Sequence, residues 1–305
     1  MDVLPLSTQQ RALGRSPLRA FPLAYGCWRF AGADRRTARA TIDAALEVGI
    51  NLFDHADIYG GDGAAEELFG QALAEVPALR ERMLIATKCG VVVGVPYDAS
   101  RAHMLRAAEA SLRRLRVTTI DLYQVHRPDL LTHPAEVAAA LVTLREQGKI
   151  REVGVSNYSA AQFAALQQFL PFPLATHQPE ISCWWLEAFR NGVLDQCLQH
   201  AVTPLAWSPL ASGHLALTPE VARSKTDGER LSALIDCLDR LAARDSVPRT
   251  AVALAFLLAH PAGIIPILGT RRPARLRECA RAFDVRLSRT DWYAIFAASQ
   301  GKRLP

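Results

Sequence analysis

Lysine occurs four times and asparagine three times in 305 residues, so the net charge of +5 rests on arginines spread along the chain. Without a basic stripe or a nucleic-acid motif, that balance argues against a nucleic-acid partner. No apolar run approaches the ~20 residues a membrane helix needs; the longest is Ala251 to Ala259. The first twenty residues hold no apolar segment of signal-peptide type, which predicts a soluble, cytoplasmic protein with no membrane partner. The six cysteines, at 27, 89, 183, 197, 237 and 279, are scattered and form no CxxC pair. Reduced thiols fit that pattern better than disulfides or a zinc site. No Gly-x-Gly-x-x-Gly follows a first strand, against an open Rossmann domain. Gly60-Gly-Asp-Gly63 lacks the lysine of a phosphate loop. Histidines 55, 126, 177 and 214 make no His-x-His pair at a strand end and no carboxylate cluster joins them, so metal-free chemistry is expected. No linker, low-complexity segment or close repeat divides the chain.

What is present is regular. Half the residues are apolar, enough for a chain of this length to bury about three quarters of its unfolded surface. Short β-type runs at 23–28, 51–56, 83–89, 120–126, 152–156, 175–181, 203–208 and 264–269 alternate with helical patterns. The helices are expected at 37–48, 64–74, 102–116, 135–147, 160–169, 193–200, 231–244 with 250–260, and 273–282. Eight strand–helix units in one unbroken series predict an α/β fold, a (β/α)8 TIM barrel forming one domain over 1–305. The segment Arg11-Ala-Leu-Gly-Arg-Ser-Pro-Leu18 reads as a turn capping the barrel floor, and an extra C-terminal helix is expected at 290–299 behind a Thr290 cap.

In such barrels reactive groups come from the C-terminal ends of strands. Strand two ends in Phe53-Asp-His-Ala-Asp-Ile-Tyr-Gly-Gly61, strand three in Ala86-Thr-Lys-Cys-Gly90, strand four in Asp121-Leu-Tyr-Gln-Val-His-Arg-Pro128. An acid, a tyrosine, a lysine and a histidine thus converge on one rim. The set suits reduction of a carbonyl, because hydride addition leaves a developing alkoxide that a phenol such as Tyr59 can protonate. A free phenol, with a pKa of about 10, is a sluggish acid. Lys88 would lower that pKa, Asp54 would hold the lysine charged, and His126 would orient the substrate oxygen. Singly, Asp54 could anchor a loop, Lys88 form a structural ion pair, Tyr59 pack at the rim and His126 be a satisfied structural histidine. Their arrival together at three consecutive strand ends favours chemistry.

These segments resemble the aldo-keto reductase family over nearly the whole chain. The match runs through Leu13-Gly-Arg-Ser16, Gly26-Cys-Trp28, Asp54 with Tyr59, Lys88, His126, Gly154-Val-Ser-Asn157, Gln178, Trp207-Ser-Pro-Leu210 and Gly269-Thr270. The run Asp-His-Ala-Asp-Ile-Tyr-Gly-Gly is similar to a bacterial subgroup of poorly assigned reductases. The resemblance implies a catalytic tetrad of Asp54, Tyr59, Lys88 and His126, and NADP(H) as cofactor, with NAD(H) as the other choice. It implies that Ser156, Asn157 and Gln178 hold the carboxamide, that Trp207 stacks on the nicotinamide, and that Gly26, Cys27 and Trp28 border the cofactor. Ser208, Leu210 and Gly213 would line the pyrophosphate; Gly269, Thr270, Arg271, Arg275, Glu278 and Cys279 would surround the adenosine end.

Part of this follows from chemistry alone. Asn157 carries the donor and acceptor that fix a primary amide, though a Ser-Asn turn is the plainer role. Phosphate commonly binds after strands seven and eight, where Ser208 and Gly269 fall. The arginines at 271, 272, 275 and 277 could meet a 2′-phosphate or form a solvated helix face. Three positions depart from the family pattern. Cys279 stands where many members have an asparagine reading adenine. Pro179 cannot donate to a sheet, so strand six should be locally irregular. His55 replaces a common threonine and should point to the outer layer, away from Asp54.

The expected activity is NADPH-dependent reduction of small aldehydes or ketones by a monomer or small homo-oligomer. An NAD(P)-dependent sugar or alcohol dehydrogenase and a cofactor-bound redox sensor or auxiliary subunit are the alternatives. Trp28, Tyr97 and Trp184 are candidate pocket walls, while 211–230 is a long polar stretch without a legible structure.

Overall fold

The computed structural model describes residues 3–304. Eight parallel strands close a barrel in chain order: β1 (Ala24–Gly26), β2 (Leu52–Asp54), β3 (Leu84–Cys89), β4 (Ile120–Val125), β5 (Ile150–Ser156), β6 (Thr176–Gln178), β7 (Thr203–Ala206) and β8 (Ile265–Leu268). Closure is made by β8 on β1, with Ile267 opposite Ala24 and Leu268 opposite Tyr25. The helices outside it are α1 (Arg35–Glu47), α2 (Ala64–Glu75), α3 (Arg101–Leu115), α4 (Pro134–Glu146), α5 (Ala160–Gln167), α6 (Val193–His200), α7 (Pro219–Arg223), α8 (Gly228–Asp245), α9 (Arg249–Leu258), α10 (Pro273–Ala280) and α11 (Arg289–Gln300). Each expected strand is present, and most are shorter than the sequence suggests. Rim residues leave the ladder to turn: Cys27 and Trp28, expected in a strand, lie in a 3₁₀ turn over Cys27–Phe30. Strand six stops at Gln178 because Pro179 has no N–H to give, and pairing resumes only as a Glu180–Trp207 bridge.

Side-chain alternation divides the barrel. Phe53, Ile85, Tyr123, Val125, Val153 and Val155 face the helices in one large apolar cluster. Leu52, Ala86, Leu122, Ala175, Leu205 and Ile265 fill the floor, where the N-terminal segment joins them. That segment is a hairpin pairing Arg11 with Ala20 and Ala12 with Arg19, which inserts Leu13 and Leu18 into the floor. Each buried leucine contributes roughly 1.5–3 kcal/mol. At its tip Gly14 has φ +59, and a Cβ there would stand 2.6 Å from the Ala175 carbonyl oxygen. Among the described residues the barrel floor is therefore plugged by chain, which leaves the barrel interior reachable from the opposite rim.

Caps explain where the helix starts differ from the periodicity. Asp34 accepts from the Thr37 amide, moving the start of α1 ahead of 37. The start of α11 is set by Ser288 rather than Thr290: Ser288 and Asp291 form a reciprocal capping box. The polar stretch after β7 holds a 3₁₀ segment over Ala211–Ala216 and then α7.

Gly70 sets the approach of α2 to α3, since a Cβ there would lie 2.0 Å from the Arg114 carbonyl oxygen. Alanine in a helix ordinarily gains up to about 1 kcal/mol over glycine. Gly70→Ala should instead destabilise, by about 1–3 kcal/mol, because backbone on both helices must separate. Chemical denaturation checks this, and a stabilised variant would show that α3 yields freely.

Candidate active site

Alternation brings the expected residues to one rim. Asp54 closes β2 and Lys88 sits one residue before the end of β3, both pointing inward. His55, one residue on, faces outward and packs edge-on against Phe69 at 4.5 Å between ring centroids. His126 follows β4, its amide donating to the Cys89 carbonyl. Tyr59 comes from the turn after β2, where its backbone N–H donates to the Ala56 carbonyl; Gly60 beyond it has φ +89.

The lysine is the hub. Its buried Nζ lies 2.7 Å from Asp54 Oδ2 and donates to the His55 carbonyl at 2.8 Å. Asp54 Oδ1 accepts from Gln178 at 3.0 Å and from Gln124 at 3.4 Å. The ammonium stands 5.1 Å from the Tyr59 ring centroid, and the Tyr59 and His126 rings meet edge to face at 6.0 Å.

Burial and these neighbours set the protonation states. Burial lowers the Lys88 pKa, but Asp54 and Tyr59 together leave it raised, so the group stays an ammonium. Burial lifts the Tyr59 phenol above its ordinary value and Lys88 pulls it back only in part. The expectation of a net lowering by Lys88 is corrected here: desolvation outweighs the ammonium. Burial, Lys88 and Arg127 push His126 down to about 3, so its imidazole is neutral at ordinary pH.

Ser156, Asn157, Gln178 and Trp207 join one polar network. Ser156 Oγ donates to the Gln178 carbonyl, Asn157 Nδ2 donates to Ser156 Oγ and to the His126 carbonyl, and Trp207 Nε1 donates to Asn157 Oδ1. Asn157 has φ +59, a conformation asparagine tolerates better than most residues, so it also makes the turn. With Trp28, Asp54, Tyr59, His126, Arg127, Ser208 and Ile267 these four enclose a cavity of about 220 Å³.

Trp28, Ser208 and Ile267 also border a second cleft, of about 390 Å³, running toward α10. Leu210, Gly213, Gly269, Thr270, Arg275, Glu278 and Cys279, expected from the sequence at the cofactor, all line it. Gly26 and Gly269 underlie the Trp28 indole: a Cβ on Gly269 would be 1.8 Å from it, on Gly26 2.5 Å. Two expected residues fall elsewhere. Cys27 is buried in the outer apolar layer because the chain turns after Gly26, and Arg271 is exposed beside the cleft without lining it. Arg277 is drawn away by Glu47 at 2.6 Å.

The cleft also takes residues that the sequence reading passed over: Arg29, Ser212, and Arg249, whose Nε and Nη2 donate to the two Asp239 carboxylate oxygens at 2.6 Å each. Arg29 and Arg127 directly follow rim residues Trp28 and His126, and that adjacency was the available signal. Of the three aromatic walls expected, only Trp28 lines either cavity. Trp184 stacks under Arg230, 3.8 Å from ring centre to guanidinium, in a separate depression, and Tyr97 lies on the exposed Val95–Tyr97 strand. Among the described residues no group of three or more His, Cys, Asp or Glu side chains could hold a metal ion.

The pattern of the Aldo/keto reductase family matches residues 22–300. A 6-dehydroglucose reductase of Novosphingobium aromaticivorans is 48% identical over the full length of both chains. An L-glyceraldehyde 3-phosphate reductase of Escherichia coli K12 is 30% identical, covering 90% of this chain and 88% of that protein. The solved structure of a glycerol dehydrogenase from Gluconobacter oxydans superposes with a TM-score of 0.85 at 29% identity, covering 98% of each chain. Barrel and sequence agree, and the chain belongs to the aldo/keto reductase family of oxidoreductases.

Proposed function

We propose that the protein reduces an aldehyde to its alcohol with NADPH, and that the substrate is a sugar-derived aldehyde. The observation that carries this reading is that Asp54, Tyr59 and His126, with Lys88 buried behind them on Asp54, line a cavity that shares Trp28, Ser208 and Ile267 with the neighbouring larger cleft. The sugar class is supported by the names of the relatives, a dehydroglucose reductase above all.

The cleft suits a dinucleotide on its own features. Ser208, Ala211, Ser212 and Gly213 all have positive φ, between 50 and 96°. Left-handed non-glycine residues cost of order 1–3 kcal/mol each and gather at ligand clamps, and such backbone turns its amides toward anions. Helix α10 has no side-chain cap at its start; Pro273 brings no N–H there and the Arg275 amide donates to the Arg272 carbonyl, so what the helix start offers an anion is chiefly its partial positive charge. Ser208 to Gly213 would hold the pyrophosphate, Arg29, Arg275 and the start of α10 the adenosine phosphate, and Trp207 would pack on the nicotinamide. When bound, the reduced nicotinamide supplies a hydride to the carbonyl carbon. Tyr59 passes its hydroxyl proton to the carbonyl oxygen, Lys88 stabilises the phenolate left behind, and Asp54 keeps Lys88 charged. Neutral His126 donates a hydrogen bond that orients the substrate oxygen. The same groups run in reverse for alcohol oxidation, the direction named by the Gluconobacter structure.

Repeated turnover of NADPH with an aldehyde panel, followed by its near-ultraviolet absorbance, tests the reading; a single equivalent consumed and then arrest would replace it with a sensor. The preference for NADPH is expected to rest on Arg29 and Arg275, the cleft-lining arginines with no acidic partner among the described residues. Replacing both with Ala should raise KM for NADPH roughly 10- to 100-fold, the worth of one or two charge-assisted hydrogen bonds, and barely change KM for NADH. Equal losses with the two cofactors would refute it.

A further inference from the structure

The segment after β7 is bent in a way its residues do not favour. Ser208, Ala211 and Ser212 are left-handed at φ 50, 51 and 53°, three of the eight such non-glycine residues among those described. Of the others, Arg116, Ala201 and Ser246 close helices, where that conformation is ordinary. Ser208, Ser212 and Gly213 instead line the larger cleft. Strained backbone of this kind persists only where its surroundings hold it.

Arg249 supplies much of that hold. From the first position of α9 its Nη1 donates to the carbonyls of Leu215, at 3.2 Å, and Leu217, at 2.5 Å, at the far end of the segment. Asp239 on α8 accepts from Nε and Nη2 at 2.6 Å each. Four of the five guanidinium donors are thus used inside the protein. Arg249 borders the cleft, but its charge is already met by Asp239, which does not line the cleft. The bonds within the segment are short-range: Ala211 to Ser208, Gly213 and Leu215 to Leu210, Leu217 to His214. The buried Leu215 side chain and Arg249 are what fasten it to the helices behind.

We propose that Arg249, held by Asp239, is a positioning residue that keeps the segment 208–217 in the shape receiving the pyrophosphate common to NADPH and NADH. This rests on the dinucleotide reading of the cleft above and adds what prepares the cleft for it. Without the clamp the segment relaxes from its left-handed turns, and only the fraction still in the receiving shape binds, which lowers apparent affinity by that fraction. The two cofactors share the pyrophosphate, so both lose equally, whereas loss of Arg29 and Arg275 is selective for NADPH.

Two measurements on the full chain test this. Without cofactor, hydrogen exchange at the bonded amides of Ala211, Gly213, Leu215 and Leu217 should be about tenfold faster in Arg249→Met than in the wild type, the worth of hydrogen bonds from a charged donor, while the barrel strands stay protected. Dissociation constants for NADPH and for NADH, followed by quenching of tryptophan fluorescence, should rise together by about tenfold, and KM with them, while kcat changes far less. Asp239→Asn, outside the cleft, should weaken both cofactors in the same direction by a smaller factor, and Arg249→Lys should recover part of the Arg249→Met loss. Were Arg249 a direct phosphate ligand, freeing it from Asp239 would leave binding unchanged or tighten it. That result, unchanged exchange at 211–217 in Arg249→Met, or a loss confined to NADPH would overturn the proposal and leave the reductase reading intact. A wild type that binds neither NADPH nor NADH would overturn the dinucleotide reading and this inference with it.

Discussion

Replacing Tyr59 with phenylalanine should lower kcat for carbonyl reduction by a factor of ~10²–10⁴, the usual worth of a general acid. The affinity for NADPH should change little, because the hydroxyl lies in the smaller cavity and the long cleft is lined by other residues. No neighbour can take over. His126 is held near 3 and carries no surplus proton at neutral pH. Asp57, raised to about 7 by burial and by Glu66, does not line the cavity. Lys88 keeps its proton because Asp54 and Tyr59 raise its pKa. The sign of the Tyr59 shift makes a second check: an acid must be protonated to act, and a raised pKa keeps it so. Reduction should therefore stay level through the neutral range and fall only as pH climbs toward the phenol's own pKa. A variant retaining more than half of wild-type kcat on its best substrate would remove Tyr59 from this role.

The barrel was legible because eight strand–helix units follow one another without a break, and period-two alternation placed Asp54 and Lys88 inside and His55 outside. Charges at the cleft were harder. A linear reading treats Arg271, Arg275 and Arg277 as one basic group, whereas the fold sends Arg277 to Glu47 and leaves Arg271 outside the wall. Only the crossing of α1 and α10 decides that, and it joins residues far apart in sequence. The stretch after β7 was opaque for a different reason: its left-handed residues include Ala211 and Ser212, which carry no glycine-like signal. The balance at Tyr59 was read with the wrong net sign because the neighbouring charge is visible in sequence and the depth of burial is not.

Replacing Lys88 with methionine should cost the fold about 3–5 kcal/mol in addition to disabling the site. Lys88 is fully buried, and its partner Asp54 is 2% exposed, so removal strands a carboxylate inside the barrel, a situation of known expense. Gln124 and Gln178 would still donate to Oδ1, but nothing replaces the ammonium at Oδ2. The group's raised pKa gives the pH window. Its contribution is fully present below the ordinary lysine value and is lost only as pH rises through the folded-state value, so neutral pH reads the whole effect. At roughly 2 °C per kcal/mol for a large domain, the melting temperature should fall by roughly 6–10 °C. The second substitution separates the two roles. Asp54→Asn on the Lys88→Met background removes both charges and leaves an amide oxygen for Gln124 and Gln178, so most of the lost stability should return. Activity should not return, since Tyr59 would still lack the cation that stabilises its phenolate. If the double variant were as unstable as Lys88→Met alone, the pair would not be the source of the cost. If it regained turnover, Lys88 would be holding the barrel together and taking no part in the chemistry.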